Sequence, residues 1–337
     1  MKKNKVFAPG LVYVRDKWKE QPDESTLNKL KNRLEEIAAL NAIIPKDIME
    51  LKEAVRDAKI IIGGVKATEK LLGEAEKLEM IQTIGVGFDH IDIEACTEKG
   101  VIVCNVAEIY SESVAQHAWG LILALTKKIT RADRDIRAGI WQTQDWMGYQ
   151  IWGKTIGVIG LGNIGSRIAL KGRLAFGMKV LAYDPYIHPA RAQLFGAELV
   201  GLERLLREAN IVTLCVPLNQ ETYHLIGEKQ LSAMKNTAYI VNVCRGSVVD
   251  QEALIKCLQK GEIMGAGLDV HEIEPITVNN PLLKMDNVIL TPHIASSTRK
   301  AVNETFDGAV SNVIRYIKGE KPCWIVNSEA YKKKKMS

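Results

Sequence analysis

Apolar residues fall along this chain in two alternating rhythms: short apolar runs, and longer stretches in which they recur about every third or fourth position. Residues 25–40 carry the second rhythm, with Leu27, Leu30, Leu34 and Ile37 marking one stripe of a helix. Residues 59–63, 80–84 and 101–104 carry the first and read as buried strands, with a helical stretch between the first two. Strands and helices thus alternate from the outset, which predicts an α/β layer on a parallel sheet.

Residues 113–126 predict a long helix, with Glu112 and Ser113 near its start and Lys127 and Lys128 after its end, as the helix dipole favours. Its apolar residues run almost all the way round, so it must be buried, within the chain or against a second copy. The sequence does not separate these options, and we take it as the helix of a homodimer. A more regular series follows, with strand-like runs at 155–160, 179–183, 211–216, 238–243, 264–268 and 288–290 and helix-compatible segments between most of them. Six such runs describe a doubly wound sheet. A further helix over 297–318 is surplus to that sheet and free to return to the first layer. The expected architecture is therefore α/β: two Rossmann-like domains with doubly wound parallel sheets, one of them discontinuous, over residues 1–104 with 295–337 and over 105–294.

Composition narrows the setting. Of 337 residues, 45 are basic and 40 acidic, a balance of +5 that demands no nucleic-acid partner. The excess sits at the ends, in Lys2, Lys3 and Lys5 and in the lysines of 332–335, and reads as frayed, solvated tails. No apolar stretch reaches the roughly 18–20 residues of a membrane span, and the amino terminus lacks the apolar core of a secretion signal. The six cysteines, Cys96, Cys104, Cys215, Cys244, Cys257 and Cys323, form no Cys-x-x-Cys pair and no metal-ligand spacing with histidine. Buried, inert thiols in a reducing cytoplasm, with no metal, are the expectation.

Candidate chemistry begins at Gly160-Leu161-Gly162-Asn163-Ile164-Gly165, which directly follows a strand-like run and opens a helix. That context turns a weak motif into a dinucleotide fingerprint: a tight turn at Gly160, backbone approach to a pyrophosphate at Gly162, close packing at Gly165, and helix N–H groups facing the phosphates. Asp184, 19 residues past Gly165 at the next strand's end, suits the adenosine ribose hydroxyls and would repel a 2′-phosphate, so NAD is expected over NADP. Residues 105–294 are then the cofactor domain and the discontinuous one the substrate domain. At later strand ends stand Arg245, whose planar fork suits a carboxylate, and Glu274 and His293, an acid–base pair in outline. Each alone would read as a surface turn or a structural hydrogen-bonder. Their shared place at the carboxyl ends of strands makes them a constellation.

Five stretches in order, including Gly85-Val86-Gly87-Phe88-Asp89-His90-Ile91-Asp92, Ser113-Val114-Ala115-Gln116-His117-Ala118 and Val241-Asn242-Val243-Cys244-Arg245-Gly246, resemble the D-isomer-specific 2-hydroxyacid dehydrogenase family over nearly the whole chain. The resemblance implies an enzyme that moves a hydride between NAD(H) and C2 of a small 2-hydroxy or 2-keto acid. It implies that Arg245 binds the substrate carboxylate and carbonyl, that His293 exchanges the proton on the C2 oxygen, and that Glu274 supports His293. It further implies that amides around Val86 and Gly87 hold the substrate carboxylate, that Asp269 contacts the nicotinamide amide, and that Val216, Pro217 and Cys244 line the cofactor. An NAD-sensing corepressor or scaffold of the same fold is the alternative from another class, and turnover of any 2-keto acid separates the two. The chain departs from phosphoglycerate dehydrogenases at Thr83, where those resemble one another in carrying arginine, and its end leaves no room for their regulatory domain. Formate dehydrogenases place glutamine where Glu274 stands. In residues 142–149, Trp146 and Met147 could face an apolar substrate tail or pack the interdomain hinge, and packing is the reading taken.

Overall fold

The computed structural model of the chain describes residues 3–11, 21–141 and 146–336; Lys2 and residues 142–145 lie outside the described residues. It divides into two compact units, Met1–Tyr110 with Ser297–Ser337, and Ser111–Ser296.

The first unit runs β1 (Asn4–Phe7), α1 (Glu24–Glu35), β2 (Ala38–Asn41), α2 (Ile48–Arg56), β3 (Ile60–Ile62), α3 (Glu69–Glu74), β4 (Met80–Gln82), α4 (Ile93–Glu98) and β5 (Ile102–Cys104). The strands form one parallel sheet in the order β2-β1-β3-β4-β5, with Ile60 opposite Met80 and Met80 opposite Ile102. Asp23 starts α1 by accepting a 2.8 Å bond from the Thr26 amide, and Leu27, Leu30 and Leu34 are its buried stripe. The helix rhythm expected to reach residue 40 stops at Glu35. Beyond it Ala38 pairs with Asn4, so an edge strand replaces the last helical turn. Neither β1 nor β2 has an apolar run: β1 opens on Asn4 and Lys5, and β2 buries one residue.

A helix over Arg299–Ile317 brings the chain back, laying Phe306, Val310 and Val313 among Val6, Leu30, Leu34 and Ile60. That shared core is what makes the unit discontinuous. The last helix, Ser328–Met336, corrects the reading of a frayed lysine tail: Ala330 is fully buried and Lys334 lies 2.8 Å from the Glu79 carboxylate. Residues 105–110 also pack here, since the Val106 amide donates to Gly85 and the Asn105 side chain to the Val86 carbonyl.

The second unit runs α5 (Ser111–Thr126), α6 (Ile129–Arg137), β6 (Thr155–Ile159), α7 (Asn163–Phe176), β7 (Lys179–Tyr183), α8 (Pro189–Leu194), β8 (Ala197–Leu199), α9 (Leu202–Glu208), β9 (Ile211–Leu214), α10 (Glu228–Ser232), β10 (Tyr239–Asn242), α11 (Gln251–Gln259), β11 (Gly265–Leu268) and β12 (Val288–Leu290). Its sheet, β12-β11-β10-β9-β6-β7-β8, is parallel throughout and reverses its strand order between β6 and β9. A seventh strand joins the six expected: β8 is short, carries Glu198 at its centre and pairs only at the edge. Because every strand points the same way, all six loops that carry candidate chemistry leave one edge of this sheet.

Helix α5 overturns its reading as a dimer helix. Val114, Ala115, Ala118, Trp119, Leu121, Ile122 and Leu125 are buried against α7 and strands β10 to β12 of the same unit. Trp119 stacks on Phe176 at 4.4 Å. Most of the apolar surface is covered by helix and sheet together, which a helix-to-helix reading of the pattern could not anticipate. Among the described residues no helix is long and apolar enough to cross a membrane.

Candidate active site

Strand β6 ends at Gly160, whose φ of +88° is a left-handed conformation and whose Cβ, if it had one, would fall 2.6 Å from the Cys215 carbonyl oxygen. At Gly165 a Cβ would lie 1.9 Å from the Gly160 carbonyl, so nothing larger permits α7 to sit this close to the turn. Gly162 differs: a Cβ there would meet nothing within 4 Å. It is exposed, opens α7, and no side chain caps the helix. Two of the three glycines answer to packing inside the unit, and the third leaves an open cradle at a helix N-terminus, flanked by the partly exposed Asn163 and Ile164. These residues fit a dinucleotide pyrophosphate.

Asp184 leaves β7 and accepts the Leu161 amide at 2.9 Å on one oxygen and the Tyr186 amide at 3.0 Å on the other. It therefore joins the glycine turn rather than closing a local Asp-Pro turn alone, and each oxygen keeps a lone pair for a hydroxyl. Val216, after β9, packs its side chain over Gly160, and Pro217 is exposed beside it. Cys244, after β10, is partly buried with Sγ 3.1 Å from Asn242 Oδ1, and burial pushes its thiol up to about 11. Cys96, Cys104 and Cys257 are buried as expected, whereas Cys323 is exposed; all six cysteines are free.

Strands β10, β11 and β12 are neighbours, so the segments that follow them emerge side by side. Arg245 leaves β10 in extended conformation, partly buried, with Nη1 donating to the Cys244 carbonyl at 2.7 Å. Two residues unremarked in the sequence shape this exit. Asn242, 1% exposed, donates to the Arg245 carbonyl at 2.9 Å and accepts the Cys244 amide at 3.1 Å. Gly246 lies so near the exit of β11 that a Cβ would fall 1.9 Å from the His271 carbonyl oxygen. An asparagine at the end of an apolar strand and a glycine directly after an arginine were the available signals.

After β11, Glu274 precedes a cis bond to Pro275. One carboxylate oxygen accepts the His271 amide at 2.9 Å and the other meets His293 Nδ1 at 2.8 Å. Burial pushes the Glu274 carboxyl up, but the bonds from His293 and the His271 amide outweigh it and hold the group below its ordinary value. The same bond raises the His293 imidazole above its ordinary value, against burial and the nearby Arg245 charge. His293 itself sits at φ +53° with its amide bonded to the Asp269 carbonyl at 2.7 Å. Among the described residues no partner is seen for Nε2, the ring nitrogen turned away from Glu274.

Asp269, expected at the nicotinamide amide, has its side chain 1% exposed. Its carboxylate accepts the Thr291 hydroxyl at 2.6 Å and the Ile294 and Ala295 amides at 2.9 Å, with His117 Nε2 at 3.3 Å. Burial pushes it up, yet His117, Thr291 and the two amides bring it below the ordinary carboxylate value. The effect is to hold the loop of His293 in place. The Trp146 indole donates to Asp135 in α6 at 2.8 Å, while Met147 is exposed.

In the first unit, Val86 and Gly87 lie in the turn after β4. The Val86 amide donates to the Tyr110 hydroxyl, and the Val86 carbonyl accepts from Asn105 at 3.0 Å. Thr83 is buried, its hydroxyl 2.8 Å from the Gly85 carbonyl.

Comparison with known proteins identifies the family. The family model for the D-isomer specific 2-hydroxyacid dehydrogenase NAD-binding domain matches residues 119–295. A glyoxylate reductase of Korarchaeum cryptofilum is 40% identical over 297 residues, covering 83% of this chain and 89% of that protein. A D-3-phosphoglycerate dehydrogenase of Methanocaldococcus jannaschii is also 40% identical, but this chain spans only 56% of it. Among solved structures, D-lactate dehydrogenase from Aquifex aeolicus complexed with NAD and lactic acid superposes with a TM-score of 0.80 at 32% identity, covering 98% of each chain. With that fold, that glycine cradle and identities of this extent, the chain belongs to the D-isomer specific 2-hydroxyacid dehydrogenase family, an NAD-dependent group of oxidoreductases.

Proposed function

We propose that this chain interconverts a small, unphosphorylated 2-keto acid and its D-2-hydroxy acid, with glyoxylate as the first candidate and NAD(H) as the cofactor. The observation that carries the reading is the Glu274–His293 pair, closed at 2.8 Å on one ring nitrogen and open at the other, within the field of the Arg245 charge. The Gly162 cradle, Asn163 and Ile164 would hold the pyrophosphate and Asp184 the ribose, with Val216, Pro217 and Cys244 along the dinucleotide. Bound there, the nicotinamide supplies the hydride for reduction and accepts it in oxidation.

Arg245 presents a cation to the substrate carboxylate and polarises the carbonyl beside it. His293 carries its proton at Nε2 and gives it to the C2 oxygen as that oxygen gains charge; in the reverse direction it takes the proton back. Glu274 keeps Nδ1 as the hydrogen donor to itself and stabilises the imidazolium. The amides of Val86 and Gly87 in the first unit are assigned to the substrate carboxylate. Thr83 speaks for an unphosphorylated substrate, because a buried hydroxyl bonded to Gly85 offers a phosphate no charge. Relatives named glyoxylate reductase point the same way.

A homodimer, if α5 cannot build it, has another surface available. Ile129, Ile136, Ile140, Trp141, Tyr149 and Trp152 are exposed within one stretch of the second unit, more than a solvated surface ordinarily shows. Sedimentation of the purified chain measures the state directly.

The test of the activity is NADH oxidation against glyoxylate, hydroxypyruvate, pyruvate, 2-ketoisocaproate and 3-phosphohydroxypyruvate, with NADPH in parallel. Turnover of an unphosphorylated acid with NADH is the expected result. Turnover only of the phosphorylated acid, or only with NADPH, removes the substrate or the cofactor assignment; silence with NADH bound returns the weight to a sensor.

A further inference from the structure

Two residues before Glu274 stands a second carboxylate with a histidine of its own. Glu272 Oε1 lies 2.7 Å from His224 Nε2, with both side chains partly buried. The other oxygen of Glu272 accepts the Gln251 amide at 3.3 Å, in the first turn of α11, where a negative charge and an acceptor are both favoured. Neither residue belongs to the constellation described above.

Three segments meet at this pair. The first carries His224, which is held at φ +48° and stacked on Tyr223 at 4.0 Å. The second follows Arg245, and the two are laced by backbone bonds: His224 donates to the Ser247 carbonyl at 2.8 Å, Ile226 to Val248 at 3.1 Å, and Asp250 back to Ile226 at 3.0 Å. The third is the exit of β11 from His271 to Glu274, which lies against Gly246 so closely that a Cβ there would come within 2.3 Å of the Glu272 amide nitrogen. Backbone bonds thus join the first two segments. The third is fastened to them by the Glu272 side chain at two points and by contact with Gly246.

We propose that Glu272 and His224 are positioning residues, which set the distance between Arg245 and the Glu274–His293 pair without touching substrate or cofactor. The inference rests on the reading of Glu274 and His293 as the acid–base pair. Glu274 is reached from Glu272 through a single intervening residue, and its own grip on the loop is the bond from the His271 amide. With the Glu272 carboxylate removed, the loop loses its fastening to α11 and to His224, Glu274 no longer meets His293 at a fixed distance, and the Arg245 fork no longer faces a fixed proton donor. Misplacements of this kind act on catalysis far more than on cofactor binding at the remote Gly162 cradle.

The experiment is a double-mutant cycle of Glu272→Ala and His224→Ala, with Glu272→Gln as the conservative variant, read by kcat, KM for the keto acid, KM for NADH, the pH profile of kcat/KM and thermal unfolding. Each alanine variant is expected to lose about tenfold in kcat/KM for the keto acid, with the alkaline limb of reduction moved to lower pH and KM for NADH unchanged. The double variant is expected to be little worse than either single one, because both break the same link. Glutamine can accept from Gln251 and donate to His224, so it should restore most of the loss. Lower thermal stability with unaltered kinetic constants and pH profile overturns the proposal, as does a double variant that loses the product of the two single effects. If His293→Asn leaves full activity, the underlying acid–base reading fails; if His293→Asn is inactive while Glu272→Ala is normal, the positioning role alone fails.

Discussion

Two turns in this molecule leave strands of parallel sheets and carry groups proposed above for substrate, yet they present them differently. In the second unit, the turn after β12 holds His293 from three sides, through Glu274, the Asp269 carbonyl and the Asp269 carboxylate network, and leaves Nε2 without a partner among the described residues. In the first unit, the turn after β4 is held just as firmly, by Thr83, Asn105 and Val106, but the Val86 amide already donates to the Tyr110 hydroxyl. Rigidity is common to both. What differs is whether the assigned atom is left open, and that depends on a side chain from elsewhere in the chain.

The open atom of the second unit gives the largest expected effect. His293→Asn removes the proposed proton donor while Asp269 still holds the loop, and kcat/KM for keto-acid reduction should fall by about 10²–10⁴-fold, with NADH binding retained by fluorescence titration. A smaller loss would mean that water or another group reaches the C2 oxygen, and the contrast with the covered amide of Val86 would lose its meaning.

Glu274→Gln sharpens the same half of the comparison. The carboxylate raises the His293 imidazole above its ordinary value, so reduction, which needs the protonated ring, persists to higher pH and fails only as the pH rises through that raised value. Oxidation needs the neutral ring and fails as the pH falls. Without the carboxylate both limbs should move to lower pH, and reduction at neutral pH should fall on the order of 10–10²-fold, less than for His293→Asn because an imidazole remains. A pH profile that stays in place would assign the limb to a group other than His293.

The difference between the two turns also marks what could be read in advance. The six apolar runs of the second unit, the glycine turn and the residues Arg245, Glu274 and His293 were legible because strand ends, glycines and charged residues fall at spacings that backbone geometry enforces. Strands β1, β2 and β8 were not: β2 and β8 are edge strands that bury few residues, and β1, though paired on both sides, is four residues long with Asn4 and Lys5 as its first half. Helix α5 misled for the opposite reason: an apolar surface on all sides says that a helix is covered, not by what. Asp269 was marked by its place in a motif, but only the fold shows its carboxylate spent on Thr291, Ile294, Ala295 and His117. Tyr110 carried no signal at all, because its bond to Val86 joins residues 24 apart through a turn whose shape no local pattern records.

Tyr110→Phe gives the smallest effect and bears most directly on the covered turn. If the Val86 amide receives the substrate carboxylate, the tyrosine hydroxyl must first leave it, and that exchange costs the substrate a hydrogen bond already made. A net bond of this kind contributes about 0.5–1.5 kcal/mol, so phenylalanine should lower KM for the keto acid by about 2–13-fold while leaving kcat and KM for NADH in place. Gly85 stays held by Thr83 and Val106, and the Val86 carbonyl by Asn105, so the turn itself should survive the change. A rise in KM instead would show the hydroxyl acting for the substrate rather than against it. The carboxylate assignment would then pass from the Val86 amide to Tyr110, and the two turns would differ only in which atom of each is left for the ligand.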